Sequence, residues 1–296
     1  MPWPPAVVSR RVALLIYGLA LMLYLTLTGL FFYLGFDPRA TVILAQVTGL
    51  LGLSVWLTRL LRLRLAEALA LRPAAPVHWQ MVLGAAIPLQ ALGGALQFAV
   101  LRELPDDSVW RQAMEESIGR FVAVESGLDL AMLFLAAVVT AAICEEALFR
   151  GLLLQLLRRR AGWISAIVWS ASLFAIFHLN PIALLPVGLV GAYLAVLVWR
   201  SGSLYPAILA HALNNGLALF GLPLLLDEAA YSRFMWPILA ASAVLFGAIF
   251  TAYIAKTTPP TDGPPPPWAG LPGETHPAGE REARRNASGC PQPGDR

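Results

Sequence analysis

The chain alternates long apolar runs with short polar breaks, and the runs have the length of membrane-crossing helices rather than of helices in a globular core. A helix needs roughly 20 residues to cross the hydrocarbon layer. Read with their polar interruptions, the runs predict eight helices at 12–34, 40–58, 80–101, 127–157, 163–179, 182–200, 203–221 and 235–255. Asn180-Pro181 breaks the fifth from the sixth without any charge. Pro88, Pro186 and Pro206 fall in or at the start of spans, which bundles tolerate when neighbouring groups satisfy the freed backbone. The expected fold class is therefore all-α, a polytopic transmembrane helix bundle of about eight spans. The first run follows Arg10-Arg11 as a signal peptide would. It exceeds the roughly 7–15 residues of a cleavable apolar region, so it is read as a retained span.

Four regions follow from this pattern. Residues 1–126 hold N-terminal transmembrane helices with amphipathic and surface loops, and 127–221 a core set of helices. Residues 222–256 hold the last span, and 257–296 a Pro/Gly-rich tail whose composition cannot support a core, so disorder is expected. Within the first region, Arg59 to Arg72 reads as an amphipathic helix on anionic headgroups. Arg102 to Glu125 reads as a short lid or surface helix.

Composition sharpens the membrane reading. The 296 residues are 58% hydrophobic and only 13% charged, with a mean hydropathy of +0.67, about half the charged share of a soluble domain. Cys144 and Cys290 supply neither a disulfide framework nor a metal-spaced pair. Of 21 basic residues only Lys256 is lysine, a bias associated with GC-rich bacterial genomes. One set of turns carries Arg10, Arg11, Arg59, Arg62, Arg64, Arg72, Arg158 to Arg160 and Arg200, and the opposite set Arg39, Arg102, Arg111, Arg120 and Arg233. The positive-inside rule then puts both termini in the cytoplasm, here of a bacterial inner membrane. The expected partners are the lipid bilayer and a membrane-associated peptide or protein substrate. No feature points to nucleic acid.

Against this background the polar residues inside spans carry the information. Glu145 and Glu146 sit in an otherwise apolar run, four residues ahead of Arg150. Charged groups at such depth cost several kcal/mol by insertion scales, about 2.5–3.5 each, and usually mark function. A structural ion pair would need one carboxylate for one arginine. His178 ends another run, and His211 and Asn215, four apart, share a face of the seventh helix. At the helical rise, Glu145 lies about 20 Å, His178 about 22 Å, Asn215 about 18 Å and His211 about 12 Å from the arginine-rich boundary. Three helices thus deliver polar groups to similar depth, and approach from the cytoplasmic side is expected. Cys144 beside them reads as a small apolar filler, Gly151 as a close-packing glycine, and His78 as a residue of a polar segment without a role.

Glu145-Glu146-x-x-x-Arg150, Phe174-x-x-x-His178 and His211-x-x-x-Asn215 resemble, in order, the three motifs of the CPBP intramembrane protease family. That family includes type II CAAX prenyl endopeptidases and proteins linked to bacteriocin processing or immunity. The resemblance spans roughly residues 125–220. It implies an intramembrane endopeptidase in which Glu145 and His178 activate water while His211 and Asn215 hold the oxyanion, with Glu146 and Arg150 in support. The chemistry agrees, since uncatalysed peptide bonds need a base for water and donors for the developing oxyanion. No cofactor is expected. Zinc is the competing mechanism, with Glu145, His178 and His211 as ligands, although no His-Glu-x-x-His helix is present. A non-proteolytic immunity or scaffold protein, and a proton-relay transporter, are rivals of other classes.

Overall fold

A computed structural model describes residues 10–105, 107–221 and 228–260. Among these there is no strand, and nine helices of two turns or more build the fold: α1 Arg10–Tyr33, α2 Pro38–Leu60, α3 Pro76–Arg102, α4 Val109–Val122, α5 Gly127–Arg158, α6 Gly162–Phe177, α7 Leu184–Ser201, α8 Tyr205–Phe220 and α9 Glu228–Lys256. The eight expected helices are all present, and α4 is the additional surface helix. Six are long and apolar enough to cross a membrane: α1, α2, α3, α5, α7 and α9. The polytopic all-α bundle is thus the fold. The helices α6 and α8 have 16 residues each, about 24 Å of rise against a hydrocarbon layer of about 30 Å.

Local chemistry sets the breaks. Asp37 caps α2, its carboxylate accepting from the amides of Arg39 at 2.8 Å and Ala40 at 3.3 Å, with Pro38 at the first helical position. Gly162, at φ 71° and ψ 173°, separates α5 from α6 in a conformation essentially reserved for glycine. The hairpin α6–α7 turns where Leu179 takes φ 50° and the Asn180 side chain accepts from the amides of Ile182 and Ala183 at 3.0 and 3.3 Å. Gly202 ends α7 in the left-handed region.

The core gathers around the second half of α5, where residues 144–157 are all buried against α1, α2, α6, α7 and α8. Large apolar side chains of α1 and α9 such as Leu15, Met22 and Val244 point outward, as lipid-facing positions do. The helix α9 packs along α3. There His78 is buried, its Nδ1 and the Tyr253 hydroxyl hydrogen-bonded at 2.8 Å. This corrects its reading as a residue of a polar segment, because Pro76 starts α3 four residues earlier than the hydropathy pattern placed it.

Two further expectations change. The stretch 59–72 is not one amphipathic helix on the surface. It holds a single helical turn, Leu65–Ala68, after which Leu69 and Ala70 are buried. Ala70 accepts from the Leu204 amide at 3.0 Å, Arg72 donates to Gly202 at 2.5 Å, and Ser203 donates to the Arg72 carbonyl at 2.5 Å. The segment is a wedge that closes the arginine-rich end of the bundle. Its backbone groups find partners in the α7–α8 turn, which a helix on the headgroups would not need. Burial also lowers the Arg72 guanidinium from its ordinary range. At the opposite end Arg39, assigned to a loop, is buried. It pairs with Asp129 at 2.8 Å and donates to the carbonyls of Phe121, at 3.1 Å, and Ala123, so one side chain ties α2, the end of α4 and the start of α5. Residues 261–296, on which the expectation of a disordered tail mainly rests, lie outside the described residues.

Gly191 shows how tightly α5, α6 and α7 meet. A Cβ there would stand 3.1 Å from Phe174 Cδ1 and 3.2 Å from Ala171 Cα. Gly191→Val is expected to cost about 1–3 kcal/mol by overpacking. Thermal unfolding in detergent checks this, with Gly18→Ala, whose Cβ would meet nothing within 4 Å, as the neutral control.

Candidate active site

Everything polar in the middle of the bundle converges on α5. Glu145 and Glu146 follow one another on a helix, so they project about 100° apart. Glu146 turns to Arg150 and to His211 on α8, and Glu145 to Gln46 on α2, His178 at the end of α6 and His211. Glu146 is fully buried, and its Oε1 accepts from Arg150 Nη1 at 2.6 Å, one helical turn on. Arg150, also fully buried, donates its Nη2 to the Gly191 carbonyl at 2.9 Å and lays its guanidinium 4.2 Å from the Phe174 ring centroid. A buried charge is tolerated only when paired and hydrogen-bonded. Here the pair has a carboxylate, a backbone carbonyl and an aromatic face.

The same Glu146 oxygen also meets His211 Nδ1 at 3.0 Å. With that carboxylate paired to arginine, His211 donates through Nδ1 and presents Nε2 to the cavity. His178 is oriented in the same sense. Its Nδ1 lies 2.8 Å from the Phe174 carbonyl, an acceptor only, so Nδ1 carries the proton and Nε2 is left. Both Nε2 atoms face one oxygen. Glu145 Oε2 lies 4.0 Å from His178 Nε2 and 3.9 Å from His211 Nε2, and it is buried without a hydrogen-bond partner of its own. These separations are too long for direct hydrogen bonds. They leave one small polar group room to bond to all three.

Asn215 stands apart from that group. One turn beyond His211 on α8, it donates to the Ala137 carbonyl at 2.8 Å, and its own oxygen accepts from Asn214 at 3.5 Å. Ala137 belongs to a π-helical turn, Leu135–Thr140, one of three around the site. The others are Gln46–Leu51 in α2 and Ala147–Leu153 in α5. Such turns are frequent at functional sites, and their widened ladder frees carbonyls for side chains. Ala137 accepts from Asn215 and Arg150 from Gln155 Nε2 at 3.3 Å in this way.

Gln46 is the polar contact that the motifs do not contain. Buried on α2, it donates Nε2 to Glu145 Oε1 at 3.2 Å. Its signal in the sequence is a lone amide inside an apolar span. Cys144 is a free thiol buried in the core.

The exposed edge of the site is at His178, whose side chain is 33% accessible while those of Glu145 and His211 are nearly closed. His178 sits at the tip of the α6–α7 hairpin. Towards the arginine-rich end, Leu148, Phe149, Leu152 and Leu153 are buried and Leu69 packs on Gly151, whose Cβ would come within 2.7 Å of it. The more open side of the site is therefore at the hairpin tip, and the side towards the arginine-rich end is packed. Depth along a helix says how far a residue lies from a boundary, not which neighbours stand in the way.

The metal alternative can be set against these distances. Two ligands of one tetrahedral zinc at about 2.0–2.1 Å would stand about 3.3 Å apart. Both Nε2 atoms are further than that from Glu145 Oε2. Among the described residues no group of three His, Cys, Asp or Glu is arranged to hold a metal ion.

Residues 127–217 match the family model described as Rce1-like, type II CAAX prenyl endopeptidase Rce1-like. This agrees with the CPBP resemblance of the three motifs, all of which fall inside the match, and it points to a membrane peptidase of the CAAX-protease type. No curated protein and no solved structure matches the chain.

The buried pair makes a stability prediction. Arg150→Met would take from the buried Glu146 its closest charged partner, leaving it only His211, and is expected to cost about 3–5 kcal/mol. Thermal unfolding of purified protein in detergent measures it. Arg158→Met, at the helix end, should change stability far less.

Proposed function

We propose that this chain is an intramembrane endopeptidase that hydrolyses peptide bonds of membrane-associated substrates with a water activated by Glu145 and His178. The observation that carries the reading is the unpartnered, buried Glu145 Oε2 flanked by two imidazole Nε2 atoms at 3.9 and 4.0 Å. A water oxygen between them can donate to Glu145 and to His178 Nε2 together. Glu145 takes its proton as general base while the hydroxide adds to the substrate carbonyl. The oxyanion then needs donors. His211, doubly protonated, gives Nδ1–H to Glu146 and Nε2–H to the oxyanion. With Glu145 and Glu146 ionised and Arg150 charged, the cluster is then electrically balanced before the water reacts. Asn215 has a second N–H besides the one on Ala137, and it supplies the other donor. Collapse of the tetrahedral species returns the proton from Glu145 to the leaving amine, so no net proton is consumed by the enzyme.

Glu146 and Arg150 act through His211, holding its ring by Nδ1. Substrates reach the hairpin tip from within the bilayer, which suits peptides already anchored in lipid. The arginine-rich turns support an orientation with both termini in the cytoplasm of a bacterial inner membrane. A bacterial host makes a prenylated substrate unexpected.

The test compares peptide termini in membranes from cells expressing wild type or Glu145→Gln at equal levels. Termini that appear only with the wild type are expected. With such a substrate, His178→Ala should also abolish cleavage, and His211→Ala and Asn215→Ala should each lower kcat by about 100–1000-fold, the usual loss for an oxyanion donor. Activity should survive a metal chelator. Identical termini in the two strains would overturn the reading.

A further inference from the structure

We infer that Gln46 is a positioning residue of this site, the clamp that fixes which carboxylate oxygen of Glu145 faces the imidazoles. The inference rests on the peptidase reading of Glu145. Gln46 lies far outside residues 127–217, on a helix that carries none of the three motifs.

Three observations combine. The first is the bond itself. Gln46 Nε2 donates to Glu145 Oε1 at 3.2 Å, with both residues buried. Oε1 is thereby occupied, and Oε2 is the oxygen turned to His178 and His211. Without a donor on α2 the carboxylate can rotate about its last bond, a broad and roughly two-fold torsion. Either oxygen could then face the imidazoles at a different height. The second is the backbone. Gln46 opens the π-helical turn Gln46–Leu51, and the packed neighbour of that turn is the Glu145 segment of α5. A π turn adds one residue to the local register, which places the amide against Glu145 where an uninterrupted α-helix would swing it along the surface. The third is an orphan atom. Gln46 Oε1 is buried without a partner, as is Glu145 Oε2. The one side-chain hydrogen bond this amide makes is therefore the one to the base.

The role explains why the site spans two parts of the chain. The matched segment supplies the reacting groups, and α2 supplies the group that orients the first of them. Misplacing a reacting group by about 1 Å can cost about 100-fold.

The experiment uses the full-length protein in detergent, with an internally quenched peptide built on the cleavage sequence found by the terminus comparison. Gln46→Met keeps the side-chain length and removes the donor. The expected result is a kcat lowered about 10–100-fold at unchanged KM. Gln46→Glu, of the same shape but without the amide donor, should fall at least as far. In parallel, thermal unfolding is measured for wild type, Gln46→Met, Glu145→Met and the double variant. The drop caused by Gln46→Met should be several degrees beside Glu145 and should shrink when Glu145 is Met, because the contact is then already gone. A raised KM with kcat intact would make Gln46 a substrate contact and overturn the inference. Absence of coupling in the unfolding cycle, with a wild type that cleaves, would overturn it as well. A wild type that cleaves no peptide would instead overturn the peptidase reading and take the positioning role with it, while the unfolding cycle still reports whether the two side chains touch.

Discussion

An ion pair with no access to water must find its partners in the protein, and the partners that Glu146–Arg150 finds organise the bundle around it. The guanidinium needs a carboxylate on its own helix, the Gly191 carbonyl on α7 and the Phe174 face on α6. Gly191 must be glycine for α7 to come that close. The carboxylate in turn reaches His211 on α8. One buried charge therefore fixes the spacing of four helices. Left incomplete, it would cost several kcal/mol. The orientation of an imidazole follows from that requirement rather than from any separate device.

The helices bend their own rules where they meet the site. Three π-helical turns surround it, one in α2 and two in α5. Each shifts the register by a residue and loosens the backbone ladder. The freed groups are put to use: Asn215 is held on Ala137, and Gln155 on the carbonyl of Arg150. In a bilayer every such carbonyl must find a partner, so a π turn is tolerated only beside side chains able to donate. The polar residues of α5 and α8 and the irregular backbone thus depend on each other.

The two ends of the bundle are built differently, and the difference bears on access. At one end the 59–75 segment folds inward and ties to the α7–α8 turn through Ala70, Arg72 and Ser203. At the other, Arg39 ties α4 to the starts of α2 and α5. The α6–α7 hairpin pairs the 16-residue α6 with the longer α7, and its tip carries His178, the most exposed of the polar groups.

Much of this molecule is local information and can be read from the chain. Apolar run length decides that it spans a membrane, because burying backbone polar groups in lipid admits few other structures. The helix-four spacings put Glu146 on Arg150 and His211 on the face of Asn215, because periodicity alone dictates such neighbours. The three motifs also reveal which polar residues matter, since apolar spans carry so few. What tertiary structure alone decided is which oxygen meets which nitrogen. Nothing in the sequence assigns His211 Nδ1 to Glu146, seats Gln46 99 positions away on Glu145, or ties Asn215 to Ala137. Nor could the pattern show that a basic, Leu-rich segment folds inward as a wedge, or that Arg39 is buried. Those outcomes come from packing between distant segments, where the partner of a buried polar group is chosen by geometry across the bundle rather than by spacing along it.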